Sequence, residues 1–215
     1  MKIIFVPARI KEEVCVSLID REKIPERIGV IGTVQHEHQF EKVKEYLEEI
    51  GKKVVIGGTI LGCDVSNAER IADKVDAFLY VGSGRFHPIG VALKTGKKLF
   101  ILNPVSKEFY ELKEEDVEEF KKRRFVAVKR FLSSDVVGII TSIKPGQCMI
   151  EKAEEIKEKV EEMGKKAYLF IGDEVSETEK ENFPFVACWI NCACPRLVDF
   201  RKDMINFEDL EIFNR

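Results

Sequence analysis

The sequence predicts an α/β protein of two similar small domains, each a mainly parallel sheet flanked by helices. Three observations predict it. Short apolar runs alternate with amphipathic or charged stretches, the pattern of β-α units. The connections between runs are short, as a parallel sheet with crossover helices requires. The same strand–loop–helix–strand plan occurs twice, in residues 1–120 and in residues 121–215, although identity between the halves is too low to establish a repeat. A length of 215 residues suits one large domain or two small ones.

Residues 1–6 read as a strand that begins at once, too short and too soon interrupted for a signal peptide. No window approaches 18 consecutive apolar residues, so no membrane-spanning helix is expected. A cytoplasmic protein follows, in which thiols stay reduced. The six cysteines are then thiols, metal ligands or catalytic groups rather than a disulfide framework. A net charge of −3 gives no case for direct nucleic-acid binding.

Residues 28–34 form a buried-strand run. Phe40, Val43, Leu47 and Ile50 repeat at helical spacing, and Gly51 ends that helix. Residues 53–58 are a strand, followed by a loop carrying Cys63 and a short helix over residues 67–75. Residues 77–81 are a strand that opens into Gly82-Ser83-Gly84-Arg85-Phe86-His87-Pro88, where Pro88 should hold His87 extended. A helix over 89–95, ended by Gly96, and a strand over 99–102 complete the first domain. The charged stretch 107–124 lacks apolar periodicity and reads as a bridge; its Lys121-Lys122-Arg123-Arg124 run reads as a solvated helix end rather than an RNA patch.

The second domain opens with a strand over 136–142 and the turn Lys144-Pro145-Gly146-Gln147. Ile150, Ala153, Ile156, Val160 and Met163 then mark a helix, ended by Gly164. Residues 167–171 are a strand, 174–182 a polar helix or loop, and 185–190 the strand that delivers Cys188, Cys192 and Cys194.

Chemistry concentrates at strand ends, where open α/β sheets place their sites. Cys63 and Cys194 each follow an apolar strand and precede a polar turn. They read either as inert buried thiols or as soft ligands for an iron–sulfur cluster or zinc. No Cys-x-x-Cys pair is present, so neither spacing is a zinc-finger pattern. One thiol of Cys192-Ala193-Cys194 should face the site and the other the packing; a zinc or thiol site using Cys188, Cys192 and Cys194 is a further alternative. Gly82-Ser83-Gly84 and Lys144-Pro145-Gly146-Gln147 read as Gly-containing turns at equivalent strand ends, either ordinary turns or the walls of a cofactor cleft. His36-x-His38 reads as a helix entry or a metal pair.

Taken together, Leu61-Gly62-Cys63, Tyr80 to Pro88, Lys144-Pro145-Gly146-Gln147 and Ala193-Cys194-Pro195-Arg196 resemble, in order and spacing, the archaeal diphthamide synthase family, the 2-(3-amino-3-carboxypropyl)histidine synthases. The resemblance runs from Val6-Pro7-Ala8 through Gln35-His36 to Arg196. It implies three similar α/β domains around a 4Fe-4S cluster, with one cysteine ligand from each. It implies that the fourth iron binds S-adenosylmethionine. The reduced cluster then breaks the bond from sulfur to the γ-carbon, and a 3-amino-3-carboxypropyl group passes to a histidine of translation elongation factor 2. By motif, Cys63 matches the ligand of the family's middle domain and Cys194 that of its last domain. The two thiols are therefore expected to converge. Gln35, Gly82, Ser83, Gly84, Phe86, His87, Lys144, Pro145, Gly146, Gln147 and Arg196 are implied to line the S-adenosylmethionine site.

Two departures stand out. Met1 falls where the family enters its middle domain, and Cys192 stands where the family usually has threonine. The third thiolate is then expected from a separate related chain or from a second copy of this one. The alternative is a non-catalytic accessory subunit that docks a partner.

Overall fold

The computed structural model describes residues 6, 8–61, 64–173, 180–198 and 201–214. The chain divides into two compact units, Met1–Val117 and Glu118–Arg215. Each has its own sheet and cores, and the two are described separately.

The first unit holds a five-stranded sheet of β1 (Arg27–Gly32), β2 (Lys53–Thr59), β3 (Ala77–Val81), β4 (Lys98–Asn103) and β5 (Glu108–Glu111), in the order β2-β1-β3-β4-β5. The first four run parallel and β5 is antiparallel to β4. Helices α1 (Phe40–Glu49), α2 (Ser66–Glu69) and α3 (Phe86–Thr95) provide the crossovers. Strand alternation sends Ile28, Val30 and Leu79 to the face that packs on Phe40, Val43 and Leu47 of α1. Ile31, Phe78, Tyr80 and Ile101 take the opposite face, with Ala68 of α2 and Val91 of α3. Every residue of β3 is buried, as a central parallel strand covered on both faces should be.

In the second unit β6 (Val136–Ser142), β7 (Lys166–Gly172), β8 (Cys188–Asn191) and β9 (Met204–Asn206) form an all-parallel sheet in the order β7-β6-β8-β9. Helix α4 (Glu114–Ser133) buries Ala127 and Phe131, and α5 (Ile150–Glu162) buries Ala153, Ile156 and Val160. These side chains share one cluster with Val137, Ile139, Cys188, Ile190 and Cys192.

The two sheets therefore share one winding. The chain lays down a central strand (β1 or β6), steps outward (β2 or β7), then crosses back to the far side of the first (β3 or β8). Each crossing is a topological switch point, the position at which open α/β sheets commonly bind ligands.

Several expectations change. Of residues 1–6, the expected first strand, Met1 to Phe5 lie outside the described residues and Val6 is not in a strand. Phe86 and His87 belong to the first turn of α3 instead of an extended loop. Pro88 sits in that same turn, where its missing N–H has no intrahelical partner to lose, so the proline is accommodated in the helix. The expected bridge contains β5 and the start of α4. The strand read over 185–190 begins only at Cys188. Upstream, Val186 N–H bonds Phe183 O (3.0 Å) in a turn, and the Phe185 ring sits edge-on to Tyr168 (5.3 Å). Finally, Lys144-Pro145-Gly146-Gln147 follows β6, the counterpart of β1, whereas Gly82-Ser83-Gly84 follows β3, the counterpart of β8; the two turns are not at equivalent strand ends.

Candidate functional site

In the second unit the switch point lies between β6 and β8. Cys192 N–H bonds Ile140 O (2.7 Å), so the chain leaves β8 alongside the end of β6. Thr141 is fully buried there; its hydroxyl donates to Cys192 O (3.2 Å) and accepts from Met149 N–H (3.2 Å). That single side chain ties the segment after β8 to the entry of α5. Ser142 Oγ donates to Asp173 O (3.0 Å) and accepts from Lys144 N–H (3.1 Å), which fixes the start of the Lys144–Gln147 turn. The turn closes through Gln147 N–H to Lys144 O (3.0 Å), with Gly146 at φ +80°. Lys144 and Gln147 are half-buried, while Pro145 and Gly146 are exposed.

The three cysteines at the end of β8 separate by environment. Cys188 and Cys192 are wholly buried, and loss of solvation pushes both thiols up to about 12. They stay protonated at neutral pH and are poor ligands and nucleophiles. Cys194 is half-exposed, in the loop that enters the 3-10 turn Pro195–Val198. One of Cys192 and Cys194 thus faces the packing and the other the solvent edge. No group of three or more ligating side chains occurs among the described residues, so Cys188, Cys192 and Cys194 do not assemble a zinc site. Arg196, within that 3-10 turn, is exposed.

In the first unit the switch point lies between β1 and β3. Gln35 and buried His36 fall in the 3-10 turn Val34–Gln39 that follows β1. Gln35 is exposed, and its carbonyl accepts from Ile10 N–H (3.2 Å). His36 Nδ1 is buried without a hydrogen-bond partner; burial, then nearby His38, lowers its pKa and keeps the ring neutral. His38 is exposed, so the two histidines do not form a chelating pair.

Beyond β3, the buried Tyr80 hydroxyl lies 3.4 Å from Ser83 O and 3.3 Å from His87 Nδ1, and the two rings stack at 6.0 Å. Burial moves the Tyr80 phenol strongly upward, so it remains a neutral donor. A Cβ on Gly82 would lie 2.8 Å from that hydroxyl, so glycine alone lets the turn close over the tyrosine. Ser83, Gly84 and Arg85 are exposed, Phe86 and His87 half-buried, and Arg85 pairs with Asp116 (2.9 Å).

After β2, Leu61 and Asp64 pair in both directions, Leu61 N–H to Asp64 O (3.3 Å) and Asp64 N–H to Leu61 O (3.0 Å). Asn67 Nδ2 bonds Thr59 O (2.7 Å) and anchors α2 to the strand end. Cys63, between Leu61 and Asp64, lies outside the described residues.

The profile of the diphthamide synthesis protein family matches residues 1–213. The chain belongs to that family. A 2-(3-amino-3-carboxypropyl)histidine synthase of Pyrococcus horikoshii is 34% identical over 97% of this chain and 64% of its own length. The synthase of Methanocaldococcus jannaschii is 32% identical over 83% of this chain and 58% of its own length. The fold is similar to crystal structures of Pyrococcus horikoshii Dph2, one of them with a 4Fe-4S cluster, at TM-score 0.80 and 32% identity, covering 89% of this chain and 58% of that one. The chain thus spans somewhat under two thirds of these relatives' length.

Sequence reasoning overlooked Asn191 and Asn206. Asn191 is buried at the end of β8 and bonds both Asn206 and the Cys194 carbonyl. The available signal was Asn191 itself, a polar residue closing the otherwise apolar run before the cysteines.

Proposed function

We propose that this member of the diphthamide family takes part in the first step of diphthamide biosynthesis: transfer of a 3-amino-3-carboxypropyl group from S-adenosylmethionine to a histidine of translation elongation factor 2. The observation that carries the reading is the place and exposure of Cys194. It is the unburied thiol of its loop, at the end of β8 and at the β6/β8 switch point that the Lys144–Gln147 turn also flanks.

The donor chemistry fits an iron–sulfur cluster: a soft thiolate at a loop, with neighbouring thiols held protonated so that they do not compete. Cys194 and Cys63 would be the ligands this chain contributes. When bound, the reduced cluster supplies the electron that breaks the sulfur–carbon bond of S-adenosylmethionine. The protein's own part is binding and orientation. The exposed residues of the two turns, Ser83-Gly84 and Pro145-Gly146, let a ligand approach the backbone closely. Gln35, Phe86, His87 and Arg196 would add side-chain contacts, with His87 oriented by the neutral Tyr80 hydroxyl.

The test is anaerobic reconstitution of the chain with iron and sulfide, followed by incubation with S-adenosylmethionine and elongation factor 2. A brown chain, and the corresponding mass gain on the factor, are expected, and Cys63→Ala and Cys194→Ala should abolish both. A chain whose iron content is indifferent to either substitution would remove the reading.

A second reading, an accessory subunit working beside a related chain, is favoured by relatives such as that of Caenorhabditis elegans, named subunit 1 and 26% identical over 80% of this chain. It predicts no cluster in the isolated chain but a stable complex with a second copy or a related partner, read by co-purification.

A further inference from the structure

The segment bearing Cys194 is held from beneath by two carboxamides. Asn191, 1% exposed, donates through Nδ2 to Cys194 O (2.9 Å) and to Asn206 Oδ1 (2.7 Å) and accepts Ala193 N–H at Oδ1 (3.0 Å). Asn206, at the end of the neighbouring strand β9, donates through Nδ2 to Pro195 O (3.3 Å). Its own N–H bonds Asp209 Oδ2 (2.9 Å), and Asp209, also 1% exposed, pairs with Arg124 of α4. Leu197 N–H gives Cys194 O a second donor (3.0 Å). The carbonyls of Cys194 and Pro195 are thereby both tied to strand-end asparagines. The result is a continuous path from Arg124 through Asp209, Asn206 and Asn191 to the half-exposed cysteine.

We propose that Asn191 and Asn206 are positioning residues that fix the backbone of Cys194, so that its thiolate meets iron at one set geometry. A carboxamide is required at 191 because the position must donate and accept at once. A carboxylate there accepts from Ala193 but cannot donate to Cys194 O or Asn206. An alkyl group does neither and leaves buried polar groups unpaired. Ligand geometry and the hydrogen bonds around it are what tune an iron–sulfur centre. The proposal rests on the reading of Cys194 as a cluster ligand.

The experiment uses the full chain and compares Asn191→Asp, Asn191→Leu and Asn206→Ala with the parent and with Val160→Ala, a core substitution in the same unit. Backbone exchange is followed in the iron-free protein. Asn191→Leu should speed exchange of the Ala193 and Leu197 amides at least tenfold while the β6 amides stay protected, and Asn191→Asp should leave Ala193 the slower of the two. After reconstitution, both Asn191 variants should lose iron to a chelator at least threefold faster than the parent and shift the electron paramagnetic resonance of the reduced centre. Asn206→Ala should do so less, and Val160→Ala, which loosens β8 only through the core, should speed iron loss less than either Asn191 variant and leave the spectrum of the reduced centre as in the parent. A parent that holds a cluster, with Asn191 variants of unchanged iron retention and spectrum, overturns the positioning role and leaves the cluster reading standing. A parent that holds no more iron than Cys194→Ala overturns the cluster reading instead. The exchange measurement then decides the asparagines alone: unchanged exchange at Ala193 and Leu197 overturns their hold on the loop, and selective acceleration supports it.

Discussion

At the scale of single residues, burial sorts thiols that the sequence presents as near neighbours. Cys192 and Cys194 stand two positions apart, yet one has its pKa pushed up to about 12 inside the α5 core and the other is half-exposed. The consequence for stability has a definite sign. A thiol loses its proton as pH rises, and an exposed one does so near 9. Between about 9 and 12 the unfolded chain releases protons that the folded chain keeps, so stability is full below that window and falls through it. The slope is about 1.4 kcal/mol per pH unit for each such thiol. Urea unfolding of the iron-free chain should therefore weaken above pH 9, and the slope should become shallower in Cys192→Ala and shallower still when Cys188→Ala is added. A slope unchanged in both variants would assign the alkaline loss to other groups. The strand-end cysteines were legible from an apolar run meeting Cys-Pro; the link from Asn191 to Asn206 was not, because that hydrogen bond exists only once β9 comes alongside β8.

Among the elements, legibility followed length. The helices α1 and α5 were plain because their buried positions repeat at helical spacing over 10 and 13 residues. Strands β5 and β9 span only 4 and 3 residues, too few to show an alternation, and both are edge strands whose pairing is set by the neighbour they join. The first turn of α3 was hidden by Pro88, because the local bias of a residue before proline points away from helix and tertiary packing reversed it. Helix ends, by contrast, were marked by glycine. Gly164 takes φ +80° just past α5, and its N–H bonds Glu161 O (2.9 Å). A Cβ there meets no neighbour, so Gly164→Ala isolates the backbone penalty of the left-handed conformation. It should cost about 1 kcal/mol in urea unfolding. A neutral result would mean that the helix ends differently in solution.

For the molecule as a whole, the alternation of strand and helix signals was enough to foresee two parallel sheets, because each β-α unit is specified locally. That the two units share one plan was foreseen, but their strand order was not: it depends on which strand the chain crosses, and no local pattern encodes that. The earlier equation of the Gly82 and Lys144 turns failed for this reason. Separate sheets also make a separable prediction. Val160 is fully buried in a cluster built from residues of the second unit, with Ile139, Ile156 and Ile190. Truncation to alanine removes two methyl groups and leaves a gap that the surrounding β6 and β8 side chains fill incompletely, a loss of about 2 kcal/mol. The clusters around Val30 and Phe78 draw on residues 14–112 and have no member near it in sequence. Native-state hydrogen exchange of Val160→Ala should show faster opening of β6 and β8 amides, with β1, β3 and β4 amides exchanging as in the parent. Equal acceleration in both sheets would instead show that the two units open as one cooperative body.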